Sequence, residues 1–383
     1  MDSTFTAFHH LTFSGFLIYR TWGGILMITY PLTLEESQQR LIQLLNDMKI
    51  DYHLEPYSVI TNLQIYKIVI HAQEKILSRM VLSSGLHGIE GYVGHLMLEA
   101  FIKEELPKLK TTEVIIYHPI NPFGMAYYRR VNEDNVDLNR NFSINHFSST
   151  NEDYRKAKHF FMIKKYHSPF LANLRFLANI LGVLLKTGVK SFKRATLLGQ
   201  HELEKGIYYQ SDHYVKSTEY MINEINYLYD GVDNVLWIDI HTGYGPRDEM
   251  SIVNSTKELM NSEDCQKQFD YPRITTLDQD DFYAIDGDMI EYLYEKKPEG
   301  KNLYATCFEF GTKKEGLWQQ IQSLKAMMFE NASYHEPMSR RFKIYAKDLM
   351  LSQFRPKDEA WIAKALLDFR LAYQGIIRSK SVK

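Results

Sequence analysis

Cysteine is scarce in this chain: Cys265 and Cys307 are the only two in 383 residues. Two thiols cannot build a disulfide framework, which excludes a small stapled extracellular module and fits a reducing compartment. A cytoplasmic protein is expected. Neither sign of charge is in excess, because 45 Lys and Arg face 47 Asp and Glu for a net charge of -2. No overall field therefore draws the chain to nucleic acid. Repeats and low-complexity tracts are missing, which excludes a solenoid. No run reads as long and apolar enough to span a membrane. The stretch from Leu11 to Tyr30 is apolar but broken by Arg20 and Thr21, with no basic segment before it. It also lacks a small-residue cleavage site, so no secretory signal is expected.

A hydrophobic share of 45% over this length suffices for one large α/β domain with additions or for two domains, so length alone does not decide. Residues 1–26 read as a loosely attached extension, because a capping-box start, Thr33-Leu34-Glu35-Glu36, opens a helix through about Asn46. Val59-Ile60 and Leu63 to His71 then read as paired strands with a turn at Asn62. Residues 27–383 form a single catalytic domain in this reading. It carries a basic helical insertion over about 145–230 and further helices over about 314–383, at Leu317 to Phe329 and Ala360 to Ile377, with Pro356 and Asp358 breaking and restarting the helix.

Three segments far apart each place acid or imidazole groups after an apolar, strand-like run. They are Ser83-Ser84-Gly85-Leu86-His87-Gly88-Ile89-Glu90, Trp237-Ile238-Asp239-Ile240-His241-Thr242-Gly243 and Cys307-Phe308-Glu309-Phe310-Gly311-Thr312. His87 and Glu90 are three apart, so they can grip one ion from one side while His241 closes the site from another strand. Three protein ligands with a fourth position open is the pattern of catalytic zinc. A spare carboxylate, Glu309, can then take a proton from water. Taken alone, a histidine at a strand end is more often structural, so the weight lies in the combination. Cys307 reads as a small core residue. The runs Met80 to Leu82, Val235 to Ile238 and Tyr304 to Phe308 suit parallel strands buried on both faces. Open α/β sheets build sites at the carboxyl ends of such strands.

A fourth segment follows the run Val114 to Tyr117: Asn121-Pro122-Phe123-Gly124, then Arg129-Arg130 and Val136-Asp137-Leu138-Asn139-Arg140-Asn141-Phe142. Guanidinium forks hold carboxylates through paired, charge-assisted hydrogen bonds. A substrate with a free carboxylate beside the cleaved bond is implied.

In these motifs and their order, over roughly residues 80–315, the chain resembles the zinc carboxypeptidases of the carboxypeptidase A type, in a branch of uncharacterised carboxypeptidase-like hydrolases. It is more distantly similar to aspartoacylase- and succinylglutamate desuccinylase-type deacylases. The resemblance implies a mixed, mostly parallel twisted sheet with helices on both faces. It implies one zinc ion per chain on His87, Glu90 and His241, Glu309 as general base and acid, and Asn139 with Arg140 as the carboxylate clamp. Asp137 would hold the other nitrogen of His87. Either Arg129 or Arg130 would stabilise the oxyanion; we favour Arg130 and keep Arg129 among the substrate-binding candidates, because the spacing to Asn139 is nearer that of the deacylases. Tyr283 is the candidate phenol. His201, in the Gly199-Gln200-His201-Glu202 loop, is set aside as a ligand because the site is complete without it.

The implied substrate is a peptide or an N-acyl amino acid. A non-catalytic protein that recognises a carboxylate terminus is the rival from another class. Segment 151–195 carries ten Lys or Arg against Glu152 and Asp153, interleaved with Phe170, Leu171, Leu174, Phe176, Leu177, Ile180 and Leu184. The ordinary reading is a surface helix packing its apolar stripe on the domain; membrane contact is the sharper alternative.

Overall fold

Apolar runs with little charge can only sit where both faces of a strand are covered, and here they occupy the middle of a sheet. The computed structural model describes residues 21–22, 25–26, 29–144, 150–276 and 287–380. Most of the expected extension therefore lies outside the described residues, as do residues 277–286 with Tyr283. A two-residue ladder pairs β1 (Thr21–Trp22) with β2 (Ile25–Leu26). The main sheet contains β3 (His53–Ile60), β4 (Leu63–Ile70), β5 (Ser78–Ser84), β6 (Thr112–His118), β7 (Asn234–Thr242), β8 (Met250–Asn254), β9 (Ile274–Thr276) and β10 (Asn302–Phe310). Their spatial order is β3-β4-β6-β5-β7-β10-β8-β9. The central strands β6, β5, β7 and β10 are parallel to one another, as β9 is to β8, while β3/β4, β4/β6 and β8/β10 are antiparallel.

Helices among the described residues are α1 (Leu34–Asp47), α2 (Gly91–Glu104), α3 (Pro122–Tyr127), α4 (Glu152–Phe161), α5 (Pro169–Thr187), α6 (Val189–Leu197), α7 (Lys216–Asn226), α8 (Ser262–Phe269), α9 (Met289–Glu295), α10 (Leu317–His335), α11 (Arg340–Phe354) and α12 (Glu359–Ser379). Alternate residues of each strand feed opposite layers. Leu82, Ile238 and Phe308 pack with Leu45 of α1, Phe101 of α2 and Phe369 of α12. Val81, Trp237 and Ala305 face the other way, with Met221 of α7 and Met289 of α9. Each fully buried side chain of this size contributes about 1.5–3 kcal/mol. The mixed α/β sheet covered on both faces is as expected.

Local chemistry explains the element ends. Thr33 caps α1 by accepting from the Glu36 amide at 3.1 Å, and Glu36 accepts from the Leu32 amide at 2.8 Å, one residue earlier than in the standard box. Asn62, at φ 64°, turns the β3–β4 hairpin. Asp358 caps α12 just after Pro356. Helix α11 was not anticipated, although Phe342, Ala346, Met350 and Phe354 repeat every four residues along its buried side.

Two expectations need correction. The helices expected at Leu317 to Phe329 and Ala360 to Ile377 would both cover the outer face of the sheet, and only α12 does so; Phe329 of α10, with Phe342 of α11, packs into a separate core with Phe160, Phe176 and Phe192 from α4, α5 and α6. Helix α5 is long and apolar enough, by length and composition, to cross a membrane, and only 17% of its most apolar window is buried. Arg175 and Lys186 interrupt its apolar run in the sequence.

Candidate metal centre and cleft

The four motif segments converge at the carboxyl ends of the parallel strands. His87 leaves β5 and enters a one-turn 3-10 helix, Gly88–Glu90, that leads into α2. That turn lies flat on the Asn121-Pro122-Phe123-Gly124 segment. A Cβ on Gly88 would come within 2.2 Å of the Gly124 backbone, so only glycine permits the approach. Gly88 and Ile89 donate their amides to the Arg130 and Arg129 carbonyls, which ties the ligand loop to the arginine loop. Strands β7 and β10 are in register so that His241 and Glu309 stand side by side.

His87, Glu90 and His241 each offer a ligand atom, and these atoms lie within 4.8 Å of one another. All three residues are buried. Nδ1 of His87 is 3.0 Å from Oε1 of Glu90, and Nδ1 of His241 is 3.2 Å from Oε2. The opposite ring nitrogens face carboxylates: Nε2 of His87 meets Asp137 at 3.1 Å, and Nε2 of His241 meets Asp239 at 2.6 Å. If each Nε2–H donates to its carboxylate, both Nδ1 lone pairs face the oxygens of Glu90, and acceptor against acceptor is unfavourable unless a positive charge lies between them. Burial works against charging the His241 ring, yet Asp239 holds its pKa well above the ordinary value. Burial likewise opposes the charge on Glu90, but His87 and His241 keep it well below the usual carboxylate range. Glu90, Asp137, Asp239 and Glu309 outnumber the guanidiniums of Arg130 and Arg140, so the cluster's chemistry fits a divalent cation.

Asp239 was missed from the sequence. Its signal was available, since residues two apart on a strand share a face and Asp239 precedes His241 by two. Ser83 donates to its Oδ1 at 2.7 Å, and Trp237 Nε1 donates to Ser83 at 2.8 Å. A second triplet with metal-ligand spacing, Asp239, His241 and Cys307, shares His241. Burial pushes the Cys307 thiol up to about 12, which keeps it protonated when no cation lies beside it. Cys307 is half-buried, packing against the core on one side, as its reading as a core residue implies, and lining the cleft on the other.

Glu309 borders the same cleft, and its Oε2 is enclosed with no hydrogen-bond partner. Burial raises its carboxyl to about 7, with His241 pulling the other way. Arg130 faces the cleft, donating from Nε to Asp137 at 3.1 Å and from Nη1 to Glu90 at 3.4 Å. Arg129 does not. Its side chain is fully buried on the far side, donating to Glu330, Asn135 and Asn331, with its guanidinium 3.7 Å from the centre of the Tyr334 ring. It is removed from the substrate-binding set, because adjacent residues in an extended loop point opposite ways.

Asn139 and Arg140 both line the cleft. The Asn139 amide spends one N–H on Asp288 at 2.9 Å and accepts from the Met289 amide at 3.1 Å. Burial lowers the Arg140 pKa, offset by Asp137, and Gly287, at φ 89°, packs where a Cβ would meet the Arg140 carbonyl oxygen at 2.1 Å. Tyr208 and Tyr244 are the phenols that border the cleft among the described residues, and burial pushes Tyr208 up to about 12. The cleft encloses about 230 Å³. His201 lies outside the ligand triplet.

A protein-family model matches residues 62–368, and its description is a protein of unknown function, DUF2817. The chain belongs to the DUF2817 family. No curated protein matches this DUF2817 member in sequence. Among solved structures, carboxypeptidase A from Helicoverpa armigera aligns with 91% of this chain and 73% of its own at 13% identity, with a TM-score of 0.50. A metallo-carboxypeptidase from Burkholderia cenocepacia covers 91% of this chain and 70% of its own at 11% identity and a TM-score of 0.46. Bovine thrombin-activatable fibrinolysis inhibitor, solved with a tick carboxypeptidase inhibitor, covers 91% and 98% at 11% identity and a TM-score of 0.46. The fold of this family member is carboxypeptidase-like.

Proposed function

We propose that the protein is a zinc-dependent hydrolase that cleaves an amide or peptide bond next to a free carboxylate. The observation that carries this is the enclosed, unpartnered Oε2 of Glu309 beside the His87–Glu90–His241 triplet. A buried carboxylate oxygen with no partner is costly, and a proton-transfer role accounts for it. His87, Glu90 and His241 would hold the ion, with Asp137 and Asp239 fixing the ring orientations. Zinc supplies Lewis acidity to water and to a carbonyl. Arg140 and one N–H of Asn139 anchor the substrate carboxylate, and Arg130 faces the oxygen on which negative charge develops. Glu309 takes the proton of the attacking water and passes it to the leaving amine, a transfer suited to a carboxyl whose pKa lies near neutrality.

The small cleft supports a second reading with the same groups. At about 230 Å³ it sits below the usual 300–1,000 Å³ of ligand pockets, which favours a short substrate such as an N-acyl amino acid. Two measurements test both readings: zinc content by elemental analysis, beside His87→Ala, and hydrolysis of peptides, acyl amino acids and their C-terminal amides. About one zinc per chain, lost in the variant, with cleavage of free carboxylates and not amides, is the expected result. Absent metal, or equal cleavage of the amides, overturns the assignment.

A further inference from the structure

Helix α5 carries apolar side chains on two sides, with Arg175, Asn179 and Lys186 along a narrow edge between them, and a globular helix of that kind is explained only when both apolar sides are covered. One side is covered: Ala172, Phe176, Ile180 and Val183 are buried in the core with Phe160, Phe192 and Phe329. The other is not. Phe170, Leu174, Leu177, Leu181 and Leu185 follow at intervals of four, three, four and four residues, so they form one stripe along a helix about 28 Å long. All five are exposed, from 42% at Leu177 to 79% at Leu185. Contiguous apolar surface of this kind marks a contact with something else.

Charge selects the partner. Residues 162–195 contain Lys164, Lys165, Arg175, Lys186, Lys190, Lys193 and Arg194 and no acidic residue. The acids just before, Glu152 and Asp153, are engaged by Arg155 and by Arg194 with Ser191. A second copy of the chain seated stripe to stripe would bring two such segments together within a Debye length of about 10 Å, where like charges repel. An anionic bilayer accommodates both features, taking the leucines below its headgroups and the lysines among its phosphates.

We propose that α5, with the basic residues around it, docks the protein on an anionic membrane surface. The helix lies in the plane of the interface rather than crossing it, because its opposite face stays packed in the protein. This reading is independent of the chemistry in the cleft.

Sedimentation of the full chain with lipid vesicles tests it. Vesicles of phosphatidylcholine with about one-third phosphatidylglycerol should bind the protein, and pure phosphatidylcholine should bind it far more weakly. Raising salt to about 0.5 M should release it. Leu174→Glu with Leu181→Glu should abolish binding, and both sites are exposed. Neutralising Lys186, Lys190 and Lys193 to Gln should lower partitioning by about 100-fold, at about five-fold per cation. Circular dichroism checks that each variant is folded; if the leucine pair unfolds, the lysine variant and the salt response decide. Equal binding by wild type and lysine variant, or no vesicle binding at all, overturns the proposal. So does self-association in ultracentrifugation that the leucine pair abolishes without any vesicle binding, since the occupant is then a second copy.

Discussion

Two histidine pairs are buried among the described residues, and they differ in what stands between the rings. His87 and His241 have ring centroids 5.1 Å apart with the Glu90 carboxylate bridging their Nδ1 atoms. His95 and His118 have centroids 6.0 Å apart and share the Ser37 hydroxyl, at 3.0 and 2.7 Å. Ser84 completes the second pair at His118 Nδ1, 2.6 Å away, and Glu99 lies 3.2 Å from His95 with Arg40 behind it. Both pairs are equally buried. Burial drives His118 well below the ordinary imidazole pKa, whereas Asp239 outweighs burial at His241. A carboxylate between imidazoles calls for positive charge, while a hydroxyl, which can donate as well as accept, joins neutral rings. Burial alone does not mark a functional histidine; the neighbouring group does.

The sharpest break in the comparison is at Glu309, which has no counterpart in the second pair. Glu309→Gln keeps the shape and removes the base, so turnover should fall by about 10²–10⁴-fold or more while zinc stays bound. Near-normal rates in that variant, measured with metal content in parallel, would remove Glu309 from the mechanism. Wild-type kcat/KM should also lose activity on the acid side with a midpoint below about 7, because a bound dication favours the ionised carboxylate.

Asp239→Asn tests whether the bridging carboxylate or the buried acid behind the ring distinguishes the pairs. The amide cannot hold His241 in the same protonation state, and zinc affinity should fall by about 10–100-fold. Titration with a competing chelator reads this directly. An unchanged affinity would make Asp239 a partner of Ser83 and nothing more.

Residue by residue, the legible part of the site was the part carried by strands. His87, Glu90, His241 and Glu309 follow apolar runs whose burial on both faces is visible in composition, so their convergence followed from topology. Arg129 and Arg130 are adjacent in a loop, where no periodicity says which turns inward; Asn135 and the Glu330, Asn331 and Tyr334 side chains on α10 show that Arg129 turns away. Helix α5 failed differently. Its apolar residues were visible, but which of two apolar stripes would be covered depends on α6, α10 and α11, elements distant in sequence. The His95–His118 pair gave no signal either, because a serine from α1 joins them across 58 and 81 residues.

Replacing His118 should touch stability and leave metal alone. His118→Ala strips Ser37 and Ser84 of a buried partner and opens a void, which costs about 2–4 kcal/mol. Thermal or urea unfolding measures the loss, and zinc content should match wild type. Loss of zinc instead would couple the two pairs through Ser84, three residues before His87.

The smallest expected effect is the pH dependence of that stability, and it follows from direction alone. His95 and His118 are held below the ordinary imidazole value of 6.5 in the folded protein, burial being the main cause for both. Below pH 6.5 the unfolded chain therefore binds protons that the folded one excludes, and stability falls as the pH drops. Glu99 acts in the same sense further down: burial opposes its charge, but His95 and Arg40 hold its carboxyl at about 2, so stability present above its ordinary value of 4.5 is lost as the pH falls towards 2. Each neutral ring adds a slope of at most about 1.4 kcal/mol per pH unit between 6.5 and its folded pKa. His118→Gln, which retains a polar partner for the serines, should flatten the slope between pH 6.5 and 5 by about that amount. Urea midpoints at half-unit intervals would resolve it, and an unchanged slope would mean that His118 is already charged in the folded protein and that the two pairs differ less than their neighbours suggest.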